Sequence, residues 1–303
     1  MSIAPNHSQE KSIFVKRLGE MRPALHRYCA RMAGSVIDGE DIVQETMIKA
    51  VDAYDCDTIE NSENWIFRIA HNTALDFLRR RKRLEMLHVD EDPDVMADES
   101  PSAAERYAAT ANMRIFMHLP VAQRGVVIMV DVLGYSLQEV SAVTSLTVPA
   151  VKAALHRGRI RLREMARRPD DAAFPPLDNA ELDRLAEYAD RFNAHDFDGI
   201  RNMLADDVKL ELVNRKRMQG RREVSQYFGN YAGVGHWAFE TGWVDGKAVL
   251  LVMDSTRSQV LPSYFVMLEW REDKIIGIRD FRYAAYVVKE ADIARLPGTG
   301  DFT

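Results

Sequence analysis

Apolar residues recur every three or four positions through the first half of the chain, which predicts helices there. The first predicted helix carries its apolar stripe at Leu18, Met21, Leu25, Tyr28 and Met32. Polar residues separate these positions. The stripe is typical of a scaffold helix that packs beneath other elements.

A second helix is predicted to begin near Gly39. Asp38 and Asp41 place carboxylates at its N-terminus, where free amide groups and the helix dipole favour negative charge. Its apolar positions are Ile42, Val43, Met47, Ile48 and Val51. The other face carries Asp41, Gln44, Glu45 and Lys49. Taken alone, that face is typical of a solvated surface.

The next helical run places aromatic, amide and cationic groups on one side. Its aromatic residues are Trp65, Phe67 and Phe77, and its polar residues at helical spacing are Arg68, Asn72, Asp76 and Arg79. Flat aromatic and amide groups suit unstacked bases, and the basic run 79–83 suits phosphates. The alternatives are that the basic run is a solvated helix end and that Trp65 is a core residue.

The segments DGEDIVQETMIKA and WIFRIAHNTALDFLRRRKR resemble region 2 of the extracytoplasmic-function (ECF) group of RNA polymerase sigma factors, within the sigma-70 family. The resemblance implies that Asp41, Gln44, Glu45 and Lys49 dock on the clamp helices of the polymerase β′ subunit. It also implies that the loop 57–63 helps to capture melted non-template bases at the minus-10 element. The residues implied in that contact are Trp65, Arg68, Asn72, Arg79 and Arg80.

Residues 111–168 contain a second helical module, interrupted at Pro120, Gly134 and a turn near Ser145, with Ser136 and Thr147 as predicted helix caps. The last helix carries two adjacent stripes. The first stripe is Val151, Leu155, Gly158 and Leu162, and the second is Lys152, His156, Arg159 and Arg163. A buried stripe beside a cationic one is what a helix-turn-helix recognition helix requires, although a generic exposed basic helix is the alternative.

This module resembles region 4 of the same sigma group, because LPVAQRGVV, YSLQEVSAV and VPAVKAALHRGRIRL stand in the family's order. The resemblance implies that the minus-35 element is read by Lys152, Ala153, His156 and Arg157, with Arg159 and Arg161 on phosphates. Residues 147–168 hold seven basic residues and one acid, so binding should depend steeply on salt. The turn has Ser145 where the family often has glycine, which predicts a strained turn.

An acidic segment separates the two modules. Residues 85–105 contain eight acids and no Lys or Arg, and Pro93 and Pro101 lie within them. This composition predicts an extended linker. Three interpretations stay open: the linker lies in a basic channel of the polymerase, folds back on the DNA-binding faces, or acts as a solubilising spacer.

A hinge with three prolines, RRPDDAAFPPLD, precedes a third module in which helices come first and strands follow. Apolar alternation marks the strands at Val208, Leu210 and Leu212, then at Tyr264, Val266, Leu268 and Trp270, then at Ile276, Ile278, Asp280 and Arg282. This order predicts an α+β domain with helices on one face of a curved antiparallel sheet. RFNAHDFDGIRNMLADDVKLEL and KIIGIRDFRY resemble the SnoaL-like branch of the nuclear-transport-factor-two-like fold.

Such folds are cones with an internal pocket, and aromatic residues either line that pocket for a small apolar effector or pack as core. They are Trp237, Phe239, Trp243, Tyr264 and Trp270. Asp280 is a candidate buried base if it faces the cavity with Ile276 and Ile278; the rival interpretation turns it outward or pairs it with Arg282 or Arg279. His195 and Asp196 are predicted to cap a helix.

Charge is divided unevenly along the chain. Residues 1–168 hold 23 Lys plus Arg and 23 Asp plus Glu, whereas residues 169–303 hold 17 and 23, which accounts for the whole net charge of -6. Two cysteines, Cys29 and Cys56, suggest neither a disulfide framework nor a metal cluster. The start lacks the apolar core of a signal peptide. We therefore expect a cytoplasmic protein that needs no cofactor and no metal.

The predicted organisation has five parts. They are sigma region 2 at 10–84, an acidic linker at 85–108, sigma region 4 at 109–168, a proline-rich hinge at 169–177 and a SnoaL-like domain at 178–293. The leading hypothesis is a non-enzymatic sigma factor that binds core polymerase (β′ and β) and promoter DNA, regulated in cis by its last domain. The alternatives are a repressor with a ligand sensor, which has no need of segment 38–83, and an enzyme that uses Asp280.

Overall fold

The computed structural model describes seven stretches of the chain, which are 7–54, 62–85, 113–166, 179–229, 231, 235–256 and 261–296. The chain divides into two compact units, 1–171 and 172–303. The hinge, Cys56 and nearly all of the acidic linker and of the loop 57–63 lie outside the described residues. Among the described residues, no helix is both long and apolar enough to cross a membrane.

The first unit is helical. Its elements are α1 (His7–Ala33), α2 (Val36–Asp52), α3 (Ser62–Glu85), α4 (Met113–Phe116), α5 (Val121–Val127) with a following π-helical turn (Ile128–Val132), α6 (Leu137–Thr144) and α7 (Val148–Ala166). The predicted stripe of α1 is confirmed, because Leu18, Leu25, Tyr28 and Met32 are buried and Met21 packs at their edge. One hydrophobic core runs through α1, α2, α3, α5, α6 and α7.

The prediction that α2 begins near Gly39 is wrong by three residues. The helix begins at Val36, because the Ser35 side chain accepts a hydrogen bond from the amide of Asp38 at 3.3 Å and so caps the first turn. Asp38 lies inside that first turn. Gly39 instead faces α1, where an added Cβ would lie 2.5 Å from the Cα of Ala30.

The turn between α6 and α7 has the predicted strain. Ser145 ends α6 with a φ of 62°, a left-handed conformation that glycine adopts more easily than serine. Ser136 caps the start of α6 in a reciprocal pair with Glu139. Thr147 accepts a hydrogen bond from the amide of Ala150 at 3.4 Å, in keeping with the predicted cap.

The second unit is α+β, as predicted. Its elements are α8 (Asn179–Asn193), α9 (Phe197–Met203), β1 (Leu204–Leu212), β2 (Lys216–Gln219), α10 (Arg221–Gly229), β3 (Trp237–Val244), β4 (Lys247–Asp254), β5 (Tyr264–Arg271), β6 (Lys274–Asp280), α11 (Ala285–Glu290) and β7 (Ile293–Arg295). The sheet order is β2-β1-β6-β5-β4-β3-β7. The sheet is mixed, because β1 pairs with β6 in parallel while the other pairings are antiparallel.

The predicted alternation in β6 is correct only at its end. Ile278 and Asp280 are buried, but Ile275 takes the inward position that was predicted for Ile276. The cause is a register shift against β5 between Glu269 and the next residue, which displaces the side-chain alternation by one position. Since β6 ends at Asp280, Arg282 follows the strand.

Candidate nucleic-acid interface

The polar face of α2 is held in place by a buried apolar face. Ile42, Val43, Thr46 and Ala50 are buried against the rest of the first unit. On the other side Asp41, Ile48 and Lys49 are exposed, while Gln44 and Glu45 are partly exposed. The four residues predicted to bind polymerase therefore lie on one accessible face.

Glu45 connects this face to α3. Its carboxylate accepts from Lys49 Nζ at 2.8 Å and from Arg80 Nη2 at 3.0 Å. Partial burial raises the pKa of Glu45, but the hydrogen bonds from Lys49 and Arg80 outweigh burial and lower it below its usual value. Glu45 is therefore ionised at neutral pH, and α2 and α3 present one continuous charged surface.

The candidate base-binding face lies along α3. Arg68 and Asn72 are exposed, one turn apart. Trp65 is partly buried and its ring lies 6.2 Å from that of Phe14, so the indole packs at the edge of the core and keeps part of its surface free. The core interpretation of Trp65 therefore holds for one side of the ring and not for the whole.

The basic run at the end of α3 is divided between internal partners and solvent. Arg79 pairs with Asp76 at 3.1 Å, and Arg81 donates from Nη1 to the carbonyl of Ala33 at 2.9 Å. Lys82 and Arg83 are exposed. Exposed pairs of this kind are weak, about 0.2–1 kcal/mol, so phosphates can displace them.

The two stripes of α7 are both present. Val151, Leu155, Gly158 and Leu162 are buried, and a Cβ on Gly158 would lie 2.5 Å from Val127 Cγ2, so α7 packs closely on α5. The outward positions are accessible to different degrees: Lys152 and Ala153 are exposed, and His156, Arg157 and Arg161 are partly exposed. These positions can approach DNA.

Arg159 differs from its neighbours. It forms a bidentate ion pair with Asp131, with Nε–Oδ2 at 3.0 Å and Nη2–Oδ1 at 2.6 Å. The side chain of Asp131 is fully buried and that of Arg159 is 13% exposed. The phosphate contact implied for Arg159 stays a prediction, and a phosphate would have to compete with this pair.

In the second unit Asp280 faces the interior. Tyr227 and Tyr231 donate from their hydroxyls to Asp280 Oδ2, and the amide of Arg282 donates to Oδ1 at 2.8 Å. Tyr264 lies 3.1 Å from Tyr231, hydroxyl to hydroxyl. Burial raises the pKa of Asp280 above its usual value, against the effect of these hydrogen bonds. The predicted pairing with Arg279 is wrong, because Arg279 binds Glu211.

The raised pKa of Asp280 predicts that the second unit loses stability as pH rises. The folded state holds the proton more tightly than the unfolded state, so the free energy of unfolding falls from about pH 4 upward, through the raised pKa. D280N should remove this slope and raise stability at neutral pH, since the amide oxygen still accepts from Tyr227. Three of the four tryptophans lie in this unit, so tryptophan fluorescence in urea measures it.

The exposed Asp198 provides the matched control, because its side chain is 91% exposed. D198N should keep the wild-type slope between pH 4 and pH 7. An unchanged slope in D280N would show that Asp280 is ionised in the folded state at all of these pH values.

Other predicted residues have the following positions. Asp196 caps α9 by accepting from the amide of Gly199 at 2.8 Å, as predicted, and His195 precedes it with a φ of 57°. Within the described ranges, no three His, Cys, Asp or Glu side chains are grouped to hold a metal ion.

Two internal partners were missed at the sequence level. Asp131 was included in the apolar run VVIMVDVL, and Arg124 was included in LPVAQRGVV; neither was given a role. Arg124 is 4% exposed and donates to main-chain carbonyls. A lone charge within an apolar helix is the signal that could have identified both, since such a charge requires a partner.

Three family models match the chain in the predicted order. The Sigma-70 region 2 model matches residues 18–84, the Sigma-70 region 4 model residues 113–162, and the SnoaL-like domain model residues 185–278. The solved structure of the Mycobacterium tuberculosis ECF sigma factor SigJ aligns with 89% of this chain and 98% of its own, at 18% identity and a TM-score of 0.36, which is too low to carry an argument.

Curated relatives are all ECF sigma factors at similar distance. SigE of Mycolicibacterium smegmatis is 33% identical over 46% of this chain and 56% of its own length, and SigG of Mycobacterium tuberculosis is 30% identical over 63% and 59%. The chain thus spans somewhat more than half of these two relatives. SigF of Caulobacter vibrioides is 33% identical over 47% of this chain and 79% of its own length. This chain belongs to the ECF RNA polymerase sigma factors and carries a SnoaL-like domain after its two sigma regions.

Proposed function

We propose that this protein is a dissociable promoter-specificity subunit of RNA polymerase. It binds the core enzyme through the polar face of α2, holds minus-10 bases on α3, and reads the minus-35 duplex with α7. Family membership gives the class of activity, and the assignment of residues to each step is the proposal.

The observation that carries this proposal is the direct connection between α2 and α3. The Arg80–Glu45 pair, at 3.0 Å, joins the surface assigned to polymerase with the surface assigned to bases. A repressor that binds only duplex DNA needs α7 but has no use for exposed Arg68 and Asn72 beside a half-buried Trp65. An initiation factor needs all of them, because it holds an opened strand next to the enzyme.

We also propose the five-part division given above, with region 2 at 10–84, region 4 at 109–168 and the SnoaL-like domain at 178–293. The family models fall inside these bounds. The last domain regulates the other two in cis. Support comes from charge, since residues 169–303 hold all of the net -6 and so form an acidic module next to basic DNA-binding helices.

Run-off transcription with purified core polymerase tests both parts. The full chain should give promoter-specific transcripts from its own genomic promoters. Truncation near Pro176 should change the transcript yield severalfold, because it removes the acidic unit and leaves the helical unit with its own core. The measurement is the amount of specific transcript at equal protein concentration.

The two outcomes separate the two parts of the proposal. No specific transcript from either form would remove the assignment as a promoter-specificity subunit. Equal yields from both forms would leave that assignment standing and remove regulation in cis. An unfolded truncation is recognised by circular dichroism, because the first unit is helical.

A small apolar effector in the SnoaL-like domain is the finer part of the proposed regulation. Phe192 and Phe239 stack at 3.7 Å, and Trp237 and Tyr264 lie 5.4 Å apart, so aromatic faces surround the interior. The indole N–H groups of Trp237 and Trp270 are buried with no acceptor among the described residues. A ligand with a carbonyl or hydroxyl group would supply one. Thermal-shift screening with flat apolar ketones and alcohols tests this, and a uniform absence of stabilisation would count against it.

A further inference from the structure

The helix-turn-helix module contacts the face of α3 that the proposed function assigns to bases. Arg68 Nη2 donates to the carbonyl of Ala142 in α6 at 2.8 Å. Nearby, the hydroxyl of Tyr135 donates to Glu63 Oε1 at 2.9 Å, and its ring lies 5.0 Å from that of Phe67. This interface between α3 and α6 therefore covers part of the surface that bases would need.

Arg124 joins the two sigma regions at a second point. Its guanidinium donates to the carbonyl of Met32, in the last turn of α1, at 2.7 Å, and to the carbonyls of Met117 and Leu119 at 3.1 and 3.0 Å. Met32 belongs to region 2 and the other two to region 4. Carbonyls at a helix C-terminus carry partial negative charge, so they stabilise the buried cation.

The same end of α1 also holds Arg81, which donates to the carbonyl of Ala33 at 2.9 Å. Desolvation and the charge of Arg81 lower the pKa of Arg124 to about 10, so Arg124 stays protonated at neutral pH. Two cations at one helix end repel each other. The contact made by Arg124 is therefore weaker than its three hydrogen bonds alone would suggest, which favours a reversible contact.

Promoter geometry excludes simultaneous use of both DNA-binding surfaces in this arrangement. The names of the two elements place them about 25 base pairs apart, or about 85 Å of duplex at about 3.4 Å per base pair. A compact unit of 171 residues has a radius of gyration of about 16 Å and is about 40 Å across. Since α3 and α7 share one hydrophobic core, they cannot reach both elements together.

We propose that this arrangement is a closed state in which region 4 covers the base-binding face of region 2, held by Arg124 and by the interface between α3 and α6. Promoter binding requires the two regions to separate. The inference rests on the proposed function, because it takes α3 as the surface for bases.

The test uses the full chain with R124M, which removes the charge and keeps a long side chain. The probe is a single-stranded oligothymidine of 12 nucleotides, since stacking on aromatic side chains tolerates any base. Opening should speed amide hydrogen exchange in α6 and tighten oligothymidine binding by about tenfold or more, because the competent fraction of molecules rises. K16M, on the exposed surface of α1, loses the same charge and should match wild type.

A second variant covers the case in which R124M does not fold. Y135F keeps the ring and removes only the hydroxyl bond to Glu63, so it should shift both measurements in the same direction by a smaller amount. Folded variants with unchanged exchange would refute the role of these contacts in holding the closed state. Faster exchange with unchanged oligothymidine affinity would refute the covering of the base-binding face. Faster exchange and tighter binding without any run-off transcript would instead overturn the proposed function and leave the closed state standing.

Discussion

Alanine at both Trp65 and Asn72 is expected to lower promoter opening by about 30-fold or more. Base stacking on an aromatic ring contributes about 1–3 kcal/mol, and a well-placed amide contact to a base edge contributes about as much. Asn72 is exposed, and Trp65 keeps part of its ring free of the core. Removing both takes away the neutral groups that hold an unpaired base, and it leaves the basic run in place.

Opening is measured by permanganate reactivity of unpaired thymines with core polymerase and the full chain. N72A alone is the cleaner variant, since the Trp65 ring packs near Phe14 and its loss lowers stability as well. N202A, an exposed asparagine on α9, is the matched control and should open promoters like wild type. A folded double variant that binds polymerase and opens promoters normally would remove α3 from strand capture.

Short-range patterns located the helices well. The period of the apolar residues identified α1, and the serine at position 136 followed by Glu139 identified the start of α6. The start of α2 was misplaced because carboxylates and Ser35 compete as capping signals, and only the hydrogen bond to the amide of Asp38 decides between them. Local sequence contains both candidates and gives them similar weight.

Pairing between distant residues could not be predicted from the sequence. The shift that moves Ile275 into the core depends on the register of β6 against β5, which alternation within one strand cannot show. The same holds for Arg159, which matched the cationic stripe of α7 but lies within hydrogen-bonding distance of Asp131, 28 positions earlier. Spacing identified the helix face correctly, and tertiary packing determined what each side chain on it binds.

The helix crossing at Gly39 gives the largest expected effect on stability. A Cβ at this position would lie 2.5 Å from the Cα and 2.6 Å from the N of Ala30, both main-chain atoms that cannot rotate away. G39A must therefore move α2 away from α1. Overpacking of this kind costs about 1–3 kcal/mol, which outweighs the gain of about 1 kcal/mol in helix propensity when alanine replaces glycine.

Gly19 on α1 is the matched control, because an added Cβ there meets no atom within 4 Å. G19A should be neutral or up to about 1 kcal/mol more stable, from helix propensity alone. Thermal unfolding followed by circular dichroism measures both, at about 2–4 °C per kcal/mol for a unit of this size. Since α2 carries Asp41, Gln44 and Glu45, G39A should also weaken polymerase binding while G19A leaves it unchanged. Equal stability of the two variants would mean that α1 and α2 do not cross this closely in solution.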